Sequence, residues 1–306
     1  MGYKVAGGRA TKELCVVALV RRKVPRAGLD AKSLVPTEVD GVSTDVIEVG
    51  DVRALAARTD RWRPAPGGVS IGHYQVTAGT LGCVVRDRGS GRRLILSNNH
   101  VLANSNAAQI GDPILQPGAV DGGHEPDDVI AHLERFGEIL FTVQPGTCSL
   151  AKTVVSFANW LAALIGSHHR LDLTRQDPLA SNSVDAAVAR PVNDGDVADE
   201  IIDIGVVSGT LDAELGMKVR KSGRSSALTS GEISVLDATI TVGYGDRSAR
   251  FDGQIVTGPM SQPGDSGSLL VAADSLKAVG LLYAGSDQAT IFNPIGAVLD
   301  ALGVIL

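Results

Sequence analysis

From residue 79 onward the chain consists of short apolar runs separated by glycine and polar residues. These runs fall at 79–85, 93–97, 184–189, 201–207, 233–242, 254–257, 268–272 and 278–283. Runs of this length suit strands, whereas an amphipathic helix needs ten or more periodic residues. Arg88-Gly89-Ser90-Gly91 sits between the first two runs as a hairpin turn would. So many short strands with turn signals predict a mainly β body, a barrel or sandwich and not a parallel sheet. The 36 glycines and only 4% aromatic residues agree with many tight turns.

Two segments depart from this pattern. Residues 149–166 place Leu150, Val154, Phe157, Leu161, Leu164 and Ile165 at helical spacing, with Ser149 as N-cap and Gly166 as stop. They predict an amphipathic helix whose apolar face must be covered by the barrel, by a second copy of the chain or by substrate. Near the end, Pro294 opens a segment with Ile295, Val298, Leu299 and Leu302 on one face, the signature of a helix packed on the body. Ahead of the β body, 14–19 and 44–49 read as strands of a small α/β unit, with a helical turn at 29–34 between them. The proline-rich stretch 58–68 reads as a linker. The expected division is therefore 1–66 and 67–306, the larger part carrying an insertion around 124–180.

Net charge of −6 argues against a nucleic-acid partner. The local cluster Arg21, Arg22, Lys23 and Arg26 reads as a solvated strand end. No run approaches the ~18–20 apolar residues of a membrane span, so no membrane partner is expected. No export signal is visible after Met1. The three cysteines, Cys15, Cys83 and Cys148, fit neither a disulfide framework nor a metal spacing. Together these point to a cytoplasmic setting with no cofactor.

The sharpest chemical signal is Pro263-Gly264-Asp265-Ser266-Gly267-Ser268. A serine hydroxyl attacks only when held beside a base, and the oxyanion it creates needs donors. A glycine two residues before Ser266 lets the N–H groups of Gly264 and Ser266 point into one space. His100 directly follows the apolar run Leu94-Ile95-Leu96 and Ser97-Asn98-Asn99, a strand end suited to holding a general base. Asp185 opens the run Val184–Ala189, where a carboxylate can accept the imidazole N–H and fix its tautomer.

With His100, Asp185 and Ser266 in that order, the chain resembles the trypsin-like serine peptidases, and the resemblance runs from about residue 67 to 306. It implies a chymotrypsin-like double six-stranded antiparallel β-barrel, a protein or peptide substrate, and a Ser-His-Asp triad acting through an acyl-enzyme. The small leading unit is similar to that of intracellular bacterial and plant members. By the same resemblance Met260, six residues before Ser266, lies at the base of the specificity pocket. Tyr283, Ala284 and Gly285 line its wall, so small or medium apolar residues are expected before the scissile bond.

The chain also departs from the family. Asn98-Asn99 replace the usual small residues, Ser268 replaces a glycine, and 85 residues separate His100 from Asp185 (185 − 100). No activation-cleavage sequence is recognised, which leaves Asp265 without a freed N-terminus to pair with.

Three other readings compete with this one. A metal site from His168 and His169 with Asp172 or Asp177 lacks a second cluster. An α/β-hydrolase esterase requires a second glycine where Ser268 stands, and the reverse Ser…His order. The remaining alternative is a catalytically silent or gated protease-fold protein acting as a binding or scaffold module.

Overall fold

The structure is a computed structural model that describes residues 1–25, 28–30, 33–49 and 57–306. It divides into two compact units, 1–56 and 57–306.

In the smaller unit, strands Gly2–Ala6 and Arg9–Val20 form a hairpin. Val42–Glu48 pairs parallel to Arg9–Val20, and Glu38–Val39 completes a four-stranded sheet. Parallel strands need a crossover connection, which the chain between Val20 and Val42 supplies. Part of that connection, including Ala31 and Lys32 of the expected helical turn and Arg26 of the basic cluster, lies outside the described residues.

The larger unit contains two antiparallel sheets of eight strands each. In the second, the strands Arg247–Thr257, Ala227–Tyr244, Lys218–Gly223, Leu269–Ala272, Ala278–Gly285 and Thr290–Pro294 close on themselves through an added pairing of the first with the last. That ring is six-stranded, and the remaining pair, Val143–Pro145 with Thr174–Gln176, is an appended hairpin. In the first sheet, Gly79–Thr80 and Cys83–Asp87 are one nearly continuous run that meets both edges, through Leu81 N–H to Val69 and Gly82 N–H to Leu96. The double barrel expected from the resemblance is thus present.

Several strands were not foreseen. Val129–Phe136 pairs with Ala187–Pro191 and Pro113–Leu115 as a first-barrel strand. Within the stretch 124–180, residues 129–136 thus belong to the barrel, and Val143–Pro145 and Thr174–Gln176 pair as a hairpin apart from it. Lys218–Gly223 was hidden by its charges: Lys218 is exposed while Lys221 is buried. The stretch read as a linker is built into the larger unit. Ala65–Gly67 is a buried strand parallel to Val197–Ile201, and the Arg58 guanidinium donates to Ser222 and Asp203.

Between the barrels, Cys83, Leu94, Leu96 and Val188 of one pack with Leu269, Val271 and Leu281 of the other. The terminal helix, Ile295–Leu302, adds Ile295, Val298, Leu299 and Leu302 to this core and stops at Gly303, whose φ of 61° suits a residue without a Cβ. Each such side chain contributes roughly 1.5–3 kcal/mol by leaving water. The helix Ser149–Leu164 forms as its periodicity predicts and ends at Gly166, φ 74°. Its N-cap is Cys148, not Ser149, and none of its residues is buried. No helix among the described residues is long and apolar enough to cross a membrane.

Candidate active site

The two barrels contribute opposite halves of one site. Strand Arg93–Ser97 ends at Ser97, and the chain turns through Asn98 into a short helical turn, Asn99–Leu102, that carries His100. Asn98 Nδ2 donates to the Asp185 carbonyl at 2.7 Å, and Asn293 of the second barrel accepts from Asp185 N–H at 2.9 Å. The Asn98 that departs from the resembled pattern therefore fastens the backbone of Asp185. Asn99 closes the adjoining loop through Asn106 and the Gly137 carbonyl.

The Asp185 side chain is fully buried. Its Oδ2 lies 2.6 Å from His100 Nδ1, and its Oδ1 accepts from His100 backbone N–H at 3.2 Å. The Tyr244 hydroxyl donates to the same Oδ2 at 2.7 Å. Burial, and then the Asp185 charge, push the Tyr244 pKa up, so that its hydroxyl remains a donor. The His100 ring keeps 22% of its side-chain surface exposed, which leaves its outer edge reachable.

On the other half, Gly264 and Gly267 take φ values of 96° and 97°. A Cβ on Gly267 would fall 2.1 Å from Ser97 Oγ and 2.2 Å from the Thr80 carbonyl, so only glycine lets the loop approach the first barrel this closely. Thr80 ties the halves together. Its N–H donates to the Ser266 carbonyl at 2.7 Å, its hydroxyl to the Gly264 carbonyl at 2.8 Å, and its own carbonyl accepts from Ser97 Oγ. Ser266 is thereby seated beside the strand end that carries His100. Among the described residues, the N–H groups of Gly264 and Ser266 donate to no protein acceptor, and neither Ser266 Oγ nor His100 Nε2 is hydrogen-bonded.

Asp265 has the cation that its sequence surroundings did not reveal. Lys221 Nζ lies 2.8 Å from Asp265 Oδ2, with both side chains fully buried. Ser226 Oγ and the backbone N–H groups of Ser225, Ser226 and Gln262 also donate to this carboxylate. Burial alone would raise the Asp265 pKa; the bonds from Lys221 and Ser226 outweigh it and hold the carboxyl below its ordinary range. Burial also lowers the Lys221 pKa, by disfavouring its charged form. The convergence of five donors makes the ionised carboxylate the better-supported partner.

A cavity of about 320 Å³ opens beside Ser266, lined by Ser261, Gln262, Pro263, Leu282, Ala284, Gly285, Ser286 and Asp287. Ala284 and Gly285 are thus among the residues that share a cavity with Ser266. Met260 is not in the lining: it packs in the second-barrel core against Val219, Ile233 and Phe292. Tyr283 faces Phe251 and the Asp185 side, its rings 4.8 Å from those of Phe251. Sequence reasoning missed Thr80, Lys221, Tyr244 and Asp287, whose partners lie far along the chain or across the cavity and leave no local sign. Among the described residues no group of three or more His, Cys, Asp or Glu could hold a metal, and His168 and His169 are exposed.

No family model matches the chain. Streptogrisin-D of Streptomyces griseus is 38% identical over 97 residues, 30% of this chain and 24% of that protein. Serine protease 2 of Streptomyces fradiae is 38% identical over 80 residues, 26% of this chain and 43% of that protein. The matches thus span less than half the length of these curated relatives. Among solved structures, the Nocardiopsis protease aligns with 79% of this chain and 99% of its own at 16% identity and a TM-score of 0.50.

Proposed function

We propose that this chain, which has the chymotrypsin-like serine protease fold and sequence relatives among the serine proteases, is a serine endopeptidase with His100, Asp185 and Ser266 as its triad. The observation that carries this reading is the His100–Asp185 pair, 2.6 Å apart, placed across Thr80 from a nucleophile loop with two free N–H groups. Ser266 Oγ attacks the peptide carbonyl carbon while His100 Nε2 takes its proton. The N–H groups of Gly264 and Ser266 receive the oxyanion. His100 returns the proton to the leaving amine, and water then hydrolyses the acyl-enzyme by the same relay. The buried Lys221–Asp265 pair supports an oxyanion loop that is formed without cleavage of the chain.

The cavity beside Ser266 suits small or medium apolar side chains on the acyl side of the scissile bond, through Leu282, Ala284 and Gly285. A peptide-library profile checks this; dominance of arginine or lysine would assign the pocket to Asp287 instead. Three free thiols, Cys15, Cys83 and Cys148, favour work in a reducing compartment such as the cytoplasm.

The unbonded Ser266 Oγ keeps one other reading in play, a gated or silent fold that binds without cleaving. Catalytic hydrogen bonds often tighten only with substrate present. Labelling with a fluorophosphonate, followed by mapping of the modified residue, decides between them. Modification of Ser266 alone supports the peptidase; an unlabelled chain supports the binding module.

A further inference from the structure

The hydrogen bonds to the Asp185 carboxylate are unevenly sourced. Two of the three come from His100 itself, its Nδ1 and its backbone N–H. A carboxylate held only by the group it must orient could turn together with that group. The third donor, the Tyr244 hydroxyl, is the one that comes from elsewhere.

Tyr244 ends the 18-residue strand Ala227–Tyr244 and pairs with Arg247 across the turn Gly245-Asp246, where Gly245 takes φ 67°. This tip is secured on both sides. Arg247 donates to the Ser105 carbonyl, just beyond His100, and its guanidinium lies 4.2 Å over the Phe141 ring. Ser248 accepts from Thr142 N–H at 2.8 Å. The Tyr244 ring packs edge-on to His100 at 6.0 Å and to Phe141 at 5.8 Å. Tyr283 offers no substitute, since its buried hydroxyl has no hydrogen-bond partner among the described residues.

We propose that Tyr244 is a positioning residue for the base: carried from the second barrel on a long hairpin, its hydroxyl fixes the Asp185 carboxylate so that Oδ2 faces His100 Nδ1. This rests on the peptidase reading for its consequence in catalysis, but the geometry it describes is independent of turnover.

Two measurements on the full chain and its Tyr244→Phe variant separate the two. Phenylalanine keeps the ring packing and removes one donor. The proton NMR resonance of the hydrogen between His100 Nδ1 and Asp185 should move upfield, because a carboxylate no longer held from outside turns and lets that bond lengthen. With a peptide substrate, kcat should fall about 10- to 100-fold at unchanged KM, the range expected for one hydrogen bond to a charged group. An unmoved resonance with unchanged kcat overturns the proposal. So does loss of the resonance together with the near-UV dichroism, which would make Tyr244 merely structural. A parent chain that fails to label at Ser266 yet shows the shifted resonance in the variant retires the peptidase reading and retains the positioning role.

Discussion

The two halves of the site are built by different physics. On the proposed base side, side chains hold the geometry: His100 is held by one carboxylate, keeps an exposed edge, and stands on a four-residue helical turn. On the nucleophile side, the backbone does it: Ser266 sits in a loop shaped by two left-handed glycines and anchored underneath by the fully buried Lys221–Asp265 pair. A side-chain contact can be removed with little change in the surrounding packing. A buried ion pair cannot, because the surviving partner is left charged and unsolvated. Substitutions beneath the nucleophile should therefore cost stability as well as chemistry, and more of it than those on the base side, where the His100 ring is partly exposed.

The largest effect should come from His100→Ala, which removes the proposed base. Turnover should drop about 10⁶-fold and fluorophosphonate labelling of Ser266 should vanish. Equal labelling of the variant would remove His100 from the site. Asp185→Asn should cost about 10⁴-fold in turnover, mainly through the wrong imidazole tautomer. Unchanged turnover there would hand the orienting role to another carboxylate.

Lys221→Met should destabilise by about 3–5 kcal/mol at neutral pH, and it tests the other side of the comparison. The sign follows from Asp265. In the parent its lowered pKa supplies stability that is present above the ordinary carboxylate value of 3.8 and is lost as pH falls through the lower folded value. Without the cation, burial raises that pKa, so the variant should gain stability as pH falls from 7 toward 4. Denaturant titrations at both pH values check this, and a parallel pH response in parent and variant would show that Lys221 is not the partner that matters.

The smallest effect belongs to a region outside both halves. Phe157 and Leu161 lie on the helix Ser149–Leu164, where no residue is buried and Phe157 stacks only with Trp160, at 5.7 Å between rings. Phe157→Asp with Leu161→Asp should change monomer stability by no more than about 0.5 kcal/mol and leave Ser266 labelling intact. A large loss in dilute solution would mean that the helix belongs to the core after all; a change in sedimentation alone would identify the face as a contact between copies.

The two helices show how far the sequence could be read. Both display the 3.6-residue apolar period, and both form. Only the terminal one buries its face, in the groove between barrels where Val298 and Leu302 meet Leu281 and Val304. Periodicity reports that a face is apolar; it carries no information about what lies opposite. Strands were legible where burial made them apolar, as at 93–97 and 278–283. They were illegible where alternation put charges outward, as in Val129–Phe136 with His132, Glu134 and Arg135, or where a charge is buried with a distant partner, as at Lys221.

What the sequence by itself determined is the local chemistry: a strand ending in a histidine, an aspartate opening an apolar run, and a serine within glycines whose backbone must turn left-handed. Those features depend on neighbours a few residues away, and local sterics fix them. What only the tertiary structure decided is which distant groups complete them. Tyr244 reaches Asp185 across 59 residues, Lys221 reaches Asp265 across 44, and Thr80 joins the loop of Ser266 across 184 at Gly264. Met260, placed at the pocket base by its offset from Ser266, packs in the core instead, because an offset along the chain does not say which way a side chain faces once the strands have closed.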